Sequence, residues 1–247
     1  MESRTISKNQ LDFFNLKIEA DNCLKKNGYL AAIALYLKAI NEYKASDEFE
    51  DQKTVYRYYQ QIGFLYYQNK KYPKAIIAFN EVINHRIYMG DAILAATYLY
   101  SGCARYEQKD YRIAVFDFQL ALATYKRNLE EALVPKMKHL VTTLLYCSYA
   151  NLAQGFLSEA KENCDEIFEL FYLFDREHAG MCNTQLNELK QKTIDQRKKL
   201  DSRGNLQQKT QTIEISKYWG THFSPYKQNS AMPAIVIEDQ YKLPIPK

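Results

Sequence analysis

The sequence predicts an all-α chain built from helix pairs stacked in series, and three observations carry that reading. Small residues recur as anchors at Ala20, Gly63, Gly102 and Ser148, spaced 43, 39 and 46 residues apart. Each anchor is followed 12, 16 and 19 positions later by the same size pattern: Ala32, Tyr36, Ala39; Ala75, Phe79, Val82; Ala114, Phe118, Ala121; Ala160, Cys164, Ile167. A small residue facing a large one at helical spacing is what two tightly packed helices need. Finally, eight Gly and six Pro in 247 residues are few, as suits helices joined by short turns.

Taken in order, residues 1–10 form a polar lead. A first helix is expected from Leu11 to Lys26, a turn at Asn27 and Gly28, and a second helix from Leu30 to Lys44. Asp47 and Glu50 have capping-box spacing, so the third helix is placed from that acidic stretch to Gln68. Pro73 fits the first turn of its partner, which stops before Gly90. Asp91 is expected to cap a helix running to Gln108, and Asp110 to cap one running to Asn128. Pro135 restarts the pattern, Gly155 ends that helix, and Ser158 is expected to cap the eighth, to Leu173. A ninth is read from Asp175 to Asp201, where Cys182, Leu186, Leu189, Thr193, Gln196 and Leu200 form a narrow seam. Such a seam serves a coiled-coil contact or covers the last repeat, and two polar members in six favour the cover.

Composition narrows the function classes. Residues 1–175 carry 21 basic and 22 acidic side chains, while 176–202 and 203–247 net +2 and +3. The repeat region therefore lacks the basic footprint of a phosphate-backbone binder, which argues against nucleic acid as partner. No run of 18 apolar residues exists, so no membrane span is expected, and Met1 to Leu16 lacks a signal-peptide core. Five cysteines without paired spacing point to free thiols in a reducing compartment. The cytoplasm is the expected setting, including a cytoskeletal or other large intracellular assembly. The four histidines are scattered, and HExxH, CxxC, GxxxxGK[ST] and GxGxxG are all absent. No metal, cofactor or enzymatic activity is expected. Cys103, beside Gly102, is the one thiol with a case for facing a groove, and packing is the favoured reading.

The stretch Gly63-Phe-Leu-Tyr66 followed by Ala75-x3-Phe79 resembles the tetratricopeptide repeat, whose pattern is L-G-x2-Y and then A-x3-F. The likeness extends over about residues 12–173, with spacings longer than the family's usual 34. It implies a right-handed α-solenoid of four helix pairs over residues 11–174; the seam helix is read as its cap at 175–202, and the stretch 203–247, where helical pattern stops, as an extended arm. It also implies that the first helix of each pair lines a concave groove. Carried over residue by residue, that groove takes Phe14 and Lys17, then Arg57, Gln61, Phe64 and Tyr67, then Tyr100 and Tyr106, then Tyr146 and Tyr149. Some members clamp the terminal carboxylates of heat-shock chaperones with three cations and two asparagines. Here Lys17 fills the first such position, but Asp21, Gln61, Ala96 and Tyr100 fill the others, so the charges that would offset desolvation of an anion are missing.

An aromatic groove with hydroxyl rims suits an apolar helix or extended peptide carrying few charges. The expected role is thus a non-catalytic scaffold, adaptor or structural subunit whose partners are other proteins. The rival readings are an escort chaperone shielding an apolar client segment and, further off, an RNA-associated helical repeat. Beyond Ser202 the helical pattern stops, yet the arm holds the only Trp, Trp219, with Phe223, Tyr226 and the apolar run containing Ile235 and Ile237. Such residues gain nothing from staying solvated, so they are read as anchors on the chain's own groove or on a neighbouring subunit.

Overall fold

The computed structural model describes residues 8–26, 28–45, 52–127, 133–177 and 184–203. Among them lie nine α-helices: α1 (Lys8–Lys25), α2 (Tyr29–Ala45), α3 (Gln52–Gln68), α4 (Tyr72–Asn84), α5 (Asp91–Glu107), α6 (Tyr111–Arg127), α7 (Leu133–Gln154), α8 (Leu157–Glu177) and α9 (Thr184–Arg203). Consecutive helices pair as α1–α2, α3–α4, α5–α6 and α7–α8, each pair packs on the next, and α9 closes the stack against α7 and α8. The result is an all-helical solenoid.

The recurring small anchors mark the points of closest approach. A Cβ added to Gly63 would sit 2.4 Å from Cε1 of the fully buried Phe79, and one added to Gly102 would sit 2.6 Å from Phe118. The hydrogen atom of glycine is all that fits between α3 and α4. In the fourth pair the anchor is polar: Ser148 Oγ donates to the Ala160 carbonyl at 2.8 Å, across the same helix–helix gap. Cys164, where an aromatic is usual, leaves the room for it. In the first pair Ala20 and Tyr36 are both buried, and the Tyr36 hydroxyl donates to Asp21 at 2.7 Å.

The turns within the pairs repeat as well. Lys71 N–H reaches the Tyr66 carbonyl at 2.8 Å, Asp110 reaches Arg105 at 2.9 Å, Phe156 reaches Asn151 at 2.9 Å and Gly28 reaches Cys23 at 2.8 Å. Each closes a helix C-terminus through a bond spanning five residues. Such a turn needs one residue in the left-handed region. Gly155 supplies it at φ +88°, whereas Lys70 and Lys109 adopt φ 57° and 67° despite their side chains.

Three expected boundaries move. Gly90, with extended backbone, is the N-cap of α5, and Asp91 is its first helical residue. α8 starts at Leu157, so Ser158 lies inside the first turn and its hydroxyl donates to Glu162 at 3.4 Å rather than capping. The helix expected over Asp175–Asp201 is two: α8 continues to Glu177 because Phe171 and Phe174 extend its buried stripe, and α9 begins at Thr184. Leu186, Leu189, Thr193, Gln196 and Leu200 are buried as the seam requires, while Cys182 lies outside the described residues.

α9 is fixed to the stack by charge at its edges and by a polar contact beneath. Asp201 accepts from Lys161 at 2.8 Å and pairs with Arg197, which also bridges to Asp165, and Lys190 reaches Asp175 at 2.9 Å. Gln196 Nε2 donates to Ser148 Oγ at 3.4 Å, tying the cover to the fourth anchor. Buried side chains fall into two main clusters. One lies between α1, α2 and one face of α3, and the other runs from the opposite face of α3 through α9.

Candidate interaction groove

The first helices of the pairs lie side by side, and aromatic and polar contacts join them. From α3, Gln60 Nε2 donates to the Ile93 carbonyl at 2.9 Å and to Thr97 Oγ1 at 2.8 Å, fixing its rotation against α5. Further along, the Phe64 and Tyr100 rings meet edge-on at 4.4 Å, and Tyr67 meets Tyr100 at 5.7 Å. On the α5–α7 side, Tyr106 meets Tyr146 edge-on at 5.5 Å. Tyr67 of α3 and Tyr146 of α7 thus both lean on rings of α5, which joins the two helices. Edge-to-face aromatic pairs add about 0.5–1.5 kcal/mol each beyond their buried area, so this ladder is a rigid wall.

Burial dominates the wall's electrostatics. It drives the phenols of Tyr67 and Tyr146 far above their ordinary value and pushes Tyr149 to about 12. Burial likewise holds the Cys103 thiol well above its ordinary value, with the charges of Glu107 and Asp117 adding to the rise. With no exposed surface, Cys103 is a packing residue and not a groove thiol. Beneath the wall, Asp117 is held by Ser101 at 2.7 Å and Arg105 at 3.0 Å, and Arg105 also reaches Asn80 at 3.4 Å.

The residues expected to line the groove divide into three groups. Tyr67, Tyr106 and Tyr149 are half-buried on α3, α5 and α7 and offer ring surface. Phe64, Tyr100 and Tyr146 are only 3%, 4% and 2% exposed, so they back the wall and do not form its face. They differ from their expected role because neighbouring helices supply the rings that cover them. Gln61 is half-buried, with its Oε1 lacking a hydrogen-bond partner. At the N-terminal end, Lys17 is exposed and paired with Asp21 at 2.7 Å, and Arg57 is exposed near the start of α3. Phe14 belongs to α1, but its side chain lies outside the described residues, as do Trp219, Phe223, Tyr226, Ile235 and Ile237.

Two wall residues were not anticipated. Tyr72, at the start of α4, turns its ring to within 5.7 Å of Tyr67. Glu107, at the end of α5, lies where its charge reaches Tyr67, Tyr72, Tyr106 and Tyr146. Its place one residue after Tyr106 was visible in the sequence, but its proximity to the preceding pair was not. Among the described residues no group of three or more His, Cys, Asp or Glu could hold a metal ion, and no helix is long and apolar enough to cross a membrane.

No family model matches the chain, and no curated protein sequence matches it. Solved structures do. BtubC (BKLC) from P. vanneervenii is 13% identical, matching 88% of this chain and 85% of its own at a TM-score of 0.54. MamA 41-end from Desulfovibrio magneticus RS-1 is 12% identical, matching 81% of this chain and 99% of its own at 0.51. The Rap conjugation gene regulator of plasmid pLS20, in complex with the Phr* peptide, is 17% identical over 78% of this chain at 0.49, and this chain spans about half of its length (55%). The likenesses above 0.5 establish a tetratricopeptide-like helical-repeat fold.

Proposed function

We propose that this chain is a non-catalytic protein-interaction scaffold or structural subunit that seats an apolar peptide or helix along the inner faces of α3, α5 and α7. The observation that carries the reading is the row of half-buried Tyr67, Tyr106 and Tyr149 rings, braced from behind by buried Phe64, Tyr100 and Tyr146. Rings held rigid before binding lose little entropy on contact, which is why tyrosine makes an effective anchor. Hydroxyls at the rims give directional contacts without net charge. An anion-binding clamp is not supported, since Lys17 is already paired with Asp21. The arm residues Trp219, Phe223, Tyr226, Ile235 and Ile237 fit the same scheme as anchors, on this groove or on a neighbouring subunit.

The test is affinity purification of the intact protein beside a Tyr106→Ser, Tyr149→Ser variant whose melting is first shown to match. Partners that accompany the parent and are lost from the variant support the groove. An identical partner set in both rejects it. Amide exchange over residues 215–240 tests the arm: protection abolished by Trp219→Ala supports docking on the chain's own groove, and full exposure even inside the native assembly rejects the anchors.

A further inference from the structure

The tyrosine stretch of the groove wall carries one acidic residue, Glu107, at the end of α5. Glu107 is exposed and has neither an ion-pair nor a hydrogen-bond partner among the described residues. By contrast, Asp21 on α1 is held by Lys17 and Tyr36, Asp91 at the other end of α5 faces Arg127 at 3.7 Å, and Asp117 on α6 is held by Ser101 and Arg105. Near Glu107, tyrosines from four helices come together. Tyr67 and Tyr72 approach each other to 5.7 Å on the α3–α4 side, and Tyr106 and Tyr146 to 5.5 Å on the α5–α7 side. Glu107 ends α5 directly after Tyr106, one turn beyond the fully buried Cys103 and two beyond Tyr100, which meets Tyr67, so helical spacing puts it at the edge of this cluster. Its charge adds to the rise that burial causes at all four phenols.

We propose that Glu107, framed by the partly exposed rings of Tyr67, Tyr72 and Tyr106, is the seat for a lysine or arginine side chain of the segment that occupies the groove. This rests on the reading of the groove as a peptide site and adds the chemistry of its ligand. A surface carboxylate alone holds a cation weakly, because water screens the pair. Tyrosine faces change that in two ways. Their π-clouds attract a cation placed over them, and their bulk excludes water, so the carboxylate acts through a lower dielectric. The long methylene stem of either residue packs on the rings while its charged head reaches the acid. The preferred ligand is therefore an apolar segment carrying one fixed positive charge, and a segment with an acid at that position is rejected.

The probe is a library of random dodecapeptides displayed on phage, selected on the intact chain and on Glu107→Gln and Glu107→Lys variants with matched melting. The parent should enrich an apolar motif with one invariant Lys or Arg column. That column should vanish on Glu107→Gln and turn to Asp or Glu on Glu107→Lys. The winning parent peptide, made synthetically, should bind Glu107→Gln at least tenfold more weakly than it binds the parent. Replacing its cation by norleucine should cost the same, with no further loss when both changes are combined. An apolar motif without a fixed cation, or losses that add in full, overturns the cation seat and leaves the groove standing. Failure of the parent to enrich any motif overturns the groove and the seat together.

Discussion

Filling the hydrogen-sized gap between α3 and α4 should cost stability by an amount that depends on one ring. In Gly63→Ala the new Cβ would stand 2.4, 2.6 and 2.9 Å from Cε1, Cδ1 and Cζ of Phe79. Carbon atoms are comfortable at about 3.5–4.0 Å, so the ring must retreat by roughly 1 Å. It has little room, being fully buried and set edge-on to Phe64 at 5.5 Å. Overpacking of this kind costs about 1–3 kcal/mol. Against it, alanine is the better helix former in mid-helix by about 0.5–1 kcal/mol. The net expectation is a loss of about 0.5–2 kcal/mol, and Gly63→Leu should lose more. The sharper test is a double-mutant cycle with Phe79→Val, which removes all three clashing atoms. In that background Gly63→Ala should change sign and stabilise by about 0.5–1 kcal/mol, so the two sites couple by about 1–3 kcal/mol. Urea unfolding followed by far-ultraviolet circular dichroism reads each corner of the cycle. Equal cost of Gly63→Ala in both backgrounds would refute the close-approach account of the repeat.

Three further outcomes are expected. Lys109 holds φ 67° to close its turn, so Lys109→Gly should raise the urea midpoint by the equivalent of up to about 1 kcal/mol without altering the slope. At Asp201 burial alone would raise the carboxyl, but the hydrogen bond from Lys161 and the charge of Arg197 more than offset it and hold the value low. Its contribution is thus fully present above the ordinary value of 3.8 and fades as pH falls through the lower folded value. The stability gap between the parent and Asp201→Asn should accordingly be flat near neutrality and close on acidification, as read from melts across pH. Finally, buried Cys103, Cys147 (its thiol pushed by burial to about 12) and Cys164 should resist iodoacetamide in the native state while half-buried Cys23 reacts. Mass mapping of the alkylated peptides before and after unfolding checks this, and early labelling of Cys103 would count against the packed wall.

The helix pairs were legible because their signal is local. Gly63 and Phe79 are sixteen residues apart, and size alternation at that distance is visible in one dimension. Cap positions were less so, since Asp91 and Ser158 each miss the cap by one or two residues and a helix start depends on backbone angles that composition does not specify. Burial within the groove was harder still. Tyr67, Tyr100, Tyr106 and Tyr146 look alike in the sequence, and which ring faces outward is decided by contacts between residues more than thirty positions apart. Glu107 escaped notice for the same reason, because the tyrosines near it come from four different helices.

The division of the interior into two clusters along α3 sets how the molecule responds to load. A solenoid behaves as a row of nearest-neighbour couplings, so its units separate where a coupling is weakest. Val55, Tyr58, Ile62 and Leu65 face the first pair, while Phe64 joins the cluster that continues to α9. The far end is riveted by the Lys161, Arg197 and Lys190 ion pairs, whereas the first pair has a neighbour on one side only among the described residues. Pulled between its two ends, the chain should therefore unzip from the N-terminal side, shedding α1 and α2 as one block. The tyrosine wall of α3, α5 and α7 survives that first rupture, so tension transmitted along the chain would lengthen it by a hairpin before it disturbed the groove.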